Sequence, residues 1–490
     1  MKGGTKYFLS LLMVIMITNT YAQNSQVMYF MNLPQNHLAN PAFRPSNAVY
    51  VGLPVISGIN LNVNNNFVNF SDVIMKGQSS DSLITFLHPD YDVDKFLDKI
   101  KKKNSIEPEA SIQLLGVGFS VGNSGYVFFD INDRINGNLV IPGDLFKLAL
   151  KGNEQFVGDK IDLTSLRGGM KYYREFGLGY SKDFTNRLRI GIKGKLLFGI
   201  AGASIRNRSL GITVNDDYSH TLDADLAVNI SAPLEVYMDK DHNIDSVVFD
   251  DDRFDTGSGI SNFIMGSRNK GLGLDIGATY DLSDKIKVSA AVTDLGYIRW
   301  KKDITNLKSK NQFKFSGLDI TDVVDDTKTM EEVGDDMLDS LKNAFEVSQS
   351  GNPFTTWLPV GIALGGSYKV TNFFSAGLLS YSRIIGRQMR ESVTLTGNLN
   401  LGSSLSTTLS YTIENHRADN IGAGLAFRAG IVQFYMLADR IPFMWNKIVD
   451  DNSTIPLPAC WNTINLRLGM NLVFGNKIRK KDDKPMIMVE

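Results

Sequence analysis

The chain has 490 residues, 43% of them hydrophobic and 21% charged, with a formal net charge of −1. That length suits one large domain or two to three average ones, and the balanced charge argues against a nucleic-acid binder, which carries a basic excess. A lone Cys460 excludes a disulfide framework, and His37, His88, His220, His242 and His416 never pair at ligand spacing, so neither a metal nor a cofactor is expected.

Lys2 and Lys6 precede the apolar run Tyr7 to Ile17, and Ala22 offers a small residue before Gln23. Residues 1–22 read as a secretory signal peptide. No cysteine follows the cleavage point, so a lipoprotein is not expected. Beyond residue 23 there is no apolar run of about 18 residues, the length a membrane helix needs. A chain exported this way would span a membrane only as a closed barrel.

Residues 23–46 form the lead-in to the fold and contain "NHLANPAFRP" (36–45). Asn40-Pro41 forces an extended or turn conformation, and Pro45 stops any helix. The block is expected on the periplasmic side, folded inward, with His37, Asn40, Pro41, Phe43 and Arg44 as candidate plug residues.

The stretch 47–476 carries a period of two. In "GLGLDIGATYDL" (271–282), Leu272, Leu274, Ile276, Ala278, Tyr280 and Leu282 share one face; Gly271, Gly273, Asp275, Gly277, Thr279 and Asp281 share the other. That length is close to the ~10 residues a membrane strand needs. The unit recurs at 188–200, 286–297, 391–401, 404–414, 419–428 and 461–474. A soluble β-sandwich also alternates. Here, though, the segments often reach 10 to 13 residues, the polar face is rich in Gly and small hydroxyls, and aromatics (Tyr172, Tyr180, Tyr280, Tyr297, Trp300, Tyr368, Tyr381, Trp461, Phe474) gather near strand ends. All three features suit a membrane barrel with interfacial girdles.

Short turns join six hairpins: 111–121 to 125–134, 171–181 to 188–200, 271–282 to 286–297, 358–370 to 373–384, 391–401 to 404–414, and 419–428 to 431–440. Mostly longer connections separate them. Parity then demands an odd number of strands ahead of these hairpins, most simply one within 47–66 bent near Pro54, and one strand follows them. The expected fold is all-β: a transmembrane antiparallel barrel of about fourteen strands, or sixteen if 201–270 hides a further pair. Small helices are expected in the loops, at 90–103 and in the acidic segment 319–346. The tail 477–490 reads as a basic periplasmic extension.

On the inner face, Arg189, Lys193, Lys195, Asp275, Asp281, Arg428 and Arg467 are candidate lumen-lining residues. They would either line a path or form a salt-bridged plug. Gly271-x-Gly273 and Gly422-x-Gly424 lack the context of a phosphate loop. The Asp250-Asp251-Asp252 cluster reads as a solvated loop. For a hydrolase, Ser410, Asn415 and His416 are the only local set, and no catalytic residue is assigned. Asp-Ser-apolar triplets at 81–83, 245–247 and 339–341 resemble a Bacteroidota O-glycosylation motif.

The signal ending in "AQ", the early "ANPAF" and the terminal "LRLGMNLVFGN" resemble Bacteroidota outer-membrane barrels of the PorP/SprF and PorV types, linked to type IX secretion and gliding. "PGDLF" (142–146) with "KGN" (151–153), followed by "GIKGKLLFGIAGA" (191–203), resembles a related family of unknown function. "NPA" beside strand one is distantly similar to long-chain fatty-acid transporter barrels, in which an N-terminal segment plugs fourteen strands. These resemblances imply an outer-membrane location, with lipid as a partner and other envelope proteins as further partners; the sorting of connection lengths puts the long loops outside and both termini in the periplasm. The function they imply is non-catalytic: a channel or accessory component of an envelope machine. Transport of hydrophobic small molecules through a plugged lumen is the alternative, and an outer-membrane hydrolase the remote one.

Overall fold

The computed structural model describes residues 26–476 apart from 77–82, 89–90, 153, 217–218, 239–243, 250–268, 316–346, 387, 403, 415–416, 442–444, 451–452 and 459–461. The expected signal peptide, the tail 477–490, the helix expected in the acidic segment 319–346, the Asp250–Asp252 cluster, Asn415, His416 and the girdle candidate Trp461 all lie outside the described residues.

Fourteen strands build the wall. They are β1 (Asn47–Gly52, resuming at Ile59–Asn65), β2 (Lys103–Val121), β3 (Gly125–Pro142), β4 (Arg167–Asp183), β5 (Leu188–Val214), β6 (Asn269–Asp281) and β7 (Ile286–Trp300). They continue as β8 (Val360–Lys369), β9 (Phe374–Ile385), β10 (Gln388–Leu401), β11 (Leu405–Glu414), β12 (Arg417–Ala429), β13 (Val432–Ala438) and β14 (Thr463–Asn476). Each strand pairs antiparallel with the next. β14 returns to β1, with Asn476 opposite Asn47 and Leu468 opposite Ile59, so the barrel closes. Closure leaves no sheet edge to satisfy.

The alternation read from the sequence sets the faces. Leu61, Leu178, Ile192, Leu272, Leu295, Leu364, Leu395, Leu409, Leu425 and Met436 point outward and are exposed on strands all round the wall. An apolar belt of this extent is not tolerated in water and is the signature of a surface solvated by lipid. Asn, Ser and Thr occupy the intervening inner positions; Asn62, Asp130, Thr394, Asn398, Thr408 and Asn471 are all buried.

The region 201–270 resolves in favour of fourteen strands. β5 is 27 residues long and outlasts the wall. Its far half, from Gly202 to Val214, pairs with His220–Ser231, which in turn pairs with Ile304–Phe315, the continuation of β7. This flange stands beyond the long-loop end and adds nothing to the strand count. Its core of Ile161, Leu163, Leu210, Val214 and Ala224 is covered by Leu145 and Leu148 of the helix Gly143–Lys151. The sequence places a loop there. The expected helix at 90–103 shrinks to Val93–Leu97, capped by Asp92, because Lys103 already begins β2.

Aromatics do ring the wall, but not all of those expected. Tyr180, Tyr280, Tyr368 and Phe474 are exposed near the short turns, and Tyr297 with Trp357 near the other rim. Trp300 and Tyr381 turn inward and are buried. Trp300 fills a trough in β5, where a Cβ on Gly199 would lie 2.6 Å from the indole, and its Nε1 donates to Thr356 Oγ1 at 2.9 Å.

Leu409, 64% exposed at the middle of β11, tests the belt. Leu409→Arg is expected to cost about 2–4 kcal/mol, read from urea titration of the heat-modifiable gel band. A cost near zero would mean that this face does not meet lipid.

Candidate lumen site: plug and ion-pair network

Residues 26–46 lie inside the barrel. They touch strands on every side of it: Ser392 and Thr394 of β10, Asp439 beyond β13, Asn471 of β14, Gln113 of β2, Asp130 of β3, Ser181 of β4 and Ser289 of β7. Only two short 3-10 turns give the segment regular structure, Val27–Phe30 and Pro34–Leu38. Its backbone polar groups therefore rely partly on the wall; the Val27 N–H donates to Asp439 Oδ1 at 2.8 Å.

Apolar packing holds it on two sides. Val27, Met28, Met31 and Leu33 pack on Ala426, Tyr435 and Leu437. Opposite them, Tyr29 with Phe30 and Phe43 packs on Ala291, Ala363, Leu379 and Tyr381. The rings of Tyr29 and Phe43 meet edge-on at 4.8 Å.

Each plug candidate has a definite place. His37 is buried, with Nδ1 2.7 Å from the Pro34 carbonyl and Nε2 3.2 Å from Asp130 Oδ2. Asn40 Nδ2 donates to the carbonyl oxygens of Ala278 (3.4 Å) and Ala290 (3.2 Å). Asn40 and Pro41 sit on a pair of glycines facing each other in β5 and β6, Gly191 and Gly277. A Cβ at Gly191 would lie 2.1 Å from the Pro41 carbonyl oxygen, and one at Gly277 2.0 Å from Asn40 Oδ1. No other residue type leaves room for this approach. Arg44 anchors the segment at the short-turn rim, donating to Asp183 Oδ2 (3.1 Å), Ser181 Oγ (2.6 Å) and the carbonyls of Ser124 and Ser181 (2.7 Å each).

Four of the seven lumen-lining candidates lie deep on the wall. Lys193 reaches Asp130 (2.9 Å) and Glu175 (2.8 Å). Lys195 reaches Asp275 (2.8 Å) and Asp294 (2.5 Å). Arg134 joins the same group through Glu175 (2.9 Å) and Asp294 (2.8 Å). Arg467 Nη1 faces Met28 Sδ of the plug at 3.1 Å. The other three belong to the short-turn rim. Arg189 pairs with Asp183, Asp281 with Lys287, and Arg428 donates to Asn47 Oδ1.

Between plug and network lies a cavity of about 90 Å³, lined by Met28, Tyr29, Leu38 and Ala39 of the plug and by Glu109, Arg134, Asp294, Tyr381 and Arg467 of the wall. It has room for a few waters and is smaller than the roughly 300 Å³ of a small-molecule pocket.

A model of the family of unknown function DUF5723 matches residues 41–439. The chain belongs to that family. No curated protein matches it. Among solved structures, this DUF5723 member is similar to a FadL homologue of Pseudomonas aeruginosa, with 9% identity and a TM-score of 0.39 over 93% of this chain and 99% of that one. It is also similar to the toluene transporter TodX of P. putida (10% identity, TM-score 0.40, 93% and 99%) and the toluene transporter TbuX of Ralstonia pickettii (8%, 0.38, 93% and 99%).

Sequence reasoning on this DUF5723 chain misses Asp130, Arg134, Glu175 and Asp294. Asp294 shows why. Strict alternation from Ile286 puts it on the lipid face with Val292. A bulge between β6 and β7, with Asp294 at φ 60, turns it inward, and its N–H donates to Asp275 Oδ1 at 2.7 Å. Bulges re-aim side chains in this way. A carboxylate that alternation assigns to the lipid face was the available signal. Ser410 lies buried on the inner wall of β11.

Gly277→Leu fills the socket without touching a lipid-facing residue. Amides of residues 36–43 are expected to exchange with deuterium much faster in this variant, with strand amides unchanged. Unaltered exchange at 36–43 would mean that the glycine pair does not seat the plug.

Proposed function

We propose that this DUF5723 protein is an outer-membrane channel for small hydrophobic molecules, held closed by residues 26–46, with its long loops outside and its termini in the periplasm. The observation that carries this reading is the break in β1. The strand stops at Gly52 and resumes at Ile59. Between them Pro54, Val55 and Ile56 are exposed on the lipid side, and Val55 is held at φ 67, costly for a β-branched residue. Ser57 is buried on the lumen side, where its carbonyl accepts from Gln35 Nε2 of the plug (3.2 Å) and from the Tyr435 hydroxyl (2.7 Å). The plug is therefore docked where β1 leaves its regular ladder, and its Met28, Met31 and Leu33 pack with Tyr435, whose hydroxyl bonds to that stretch. An apolar solute taken up by this surface would reach hydrocarbon through the break without returning to water.

Cells carrying the protein are expected to take up labelled aromatic and alkyl compounds several-fold faster than cells lacking it; equal uptake would sink the reading. Val55→Arg, a charge on the lipid side of the break, is expected to lower uptake while the heat-modifiable shift stays intact.

A second reading, an accessory component of a PorP/SprF-type or similar envelope machine, is favoured by the flange. A sheet with its own apolar core standing beyond the wall is more than a channel rim needs. Affinity pull-down from detergent-solubilised membranes tests it: co-purified secretion or gliding subunits support it, and a solitary barrel counts against it.

A further inference from the structure

Arg383 on β9 and Arg390 on β10 face each other in register. Like charges in directly opposed positions repel. Each is matched by a carboxylate on β2: Arg383 pairs with Glu109 and Arg390 with Glu107. β2 is the second strand round the wall; β9 and β10 are the ninth and tenth. These pairs therefore reach across the lumen instead of linking neighbours. All four side chains are buried, and Asn136 Nδ2 also donates to Glu109 Oε1 at 3.2 Å.

The pairs stand apart from the plug. On the same three strands the plug meets Gln113 of β2, Gly377 of β9, and Ser392 and Thr394 of β10. Each of these lies closer to the short turns than the charged residue on its strand. Glu109 also lines the 90 Å³ cavity whose other side is Met28 and Tyr29. The cavity thus has the plug on one side and, through Glu109, touches one of the two ion pairs on the other.

We propose that the pairs Arg383–Glu109 and Arg390–Glu107 form a second gate, which closes the long-loop end independently of the plug. The lumen then works as two closures in series around a small compartment. Ion pairs suit this task. They are strong while dry, and they weaken once water and salt enter from the loop side. This inference rests on the channel reading above.

The test is conductance of the purified barrel in planar bilayers, with the heat-modifiable shift confirming that each form is folded. Deletion of residues 26–46 alone is expected to leave conductance low. Adding E107Q and E109Q to that deletion is expected to raise it several-fold. Reversing the pairs instead, with E107R, E109R, R383E and R390E together in the deleted form, is expected to restore the low level, which simple loosening of the wall would not do. If the deletion alone conducts as well as the form with broken pairs, the second gate is overturned and the channel stands. If no form conducts and uptake is also absent, the channel reading falls and the gate with it.

Discussion

Everything in this molecule depends on the ladder between β14 and β1. In a bilayer an unpaired backbone amide has no water to turn to, so a sheet is viable there only when its first and last strands meet. β1 makes that difficult, since it is broken for six residues. β14 spans the break in one piece, with Leu472 opposite Val51 on one side and Leu466 opposite Leu61 on the other. Across the gap, the Met470 N–H donates to the Ile56 carbonyl at 2.8 Å. Gly469 allows this: a Cβ there would lie 2.4 Å from the Ser57 carbonyl oxygen.

Closure creates the second constraint. A period of two that sends one apolar side chain out sends one polar side chain in, so a closed wall encloses a polar interior that must be hydrated or filled. Here it is filled. Asp130, Glu175, Asp275 and Asp294 meet Lys193, Lys195 and Arg134 in direct contact, and His37 of the plug completes the surroundings of Asp130. Buried ions gain little net stability from pairing, but removal of one partner leaves a bare charge, at a cost of about 3–5 kcal/mol. The network thus makes β3 to β7 intolerant of rearrangement, and the plug is laid against that rigid arc.

What the sequence makes legible follows from which rules are local. Alternation and turn length are local, and they suffice for fourteen strands, the short-turn and long-loop ends, and the inner placement of Lys193, Lys195, Asp275 and Arg467. Strand ends are not local. β2 continues back to Lys103 and β10 begins at Gln388, so Glu107, Glu109 and Arg390 read as loop residues although they sit inside the lumen. Nor are bulges local: the one at Asp294 exists because Asp275 on the neighbouring strand captures its N–H. The inward turn of Trp300 likewise needs glycines a hundred residues away.

Gln35 ties the seam to the plug. Its side chain bonds to the Ser57 carbonyl of the broken strand (3.2 Å) and exchanges two hydrogen bonds with Asn471 of β14, at 2.6 and 3.0 Å. Asn471 is itself the partner of Gly52, the last residue before the break. These bonds can all exist only when β14 has closed on β1, so the plug recognises the closed seam and not either strand alone. The converse follows by linkage: whatever favours the seated plug favours the closed seam by the same free energy, and whatever loosens one loosens the other. No hinge or signal between distant sites is required. The break in β1 and the segment that fills the lumen share one side chain, so a change at either is felt at the other.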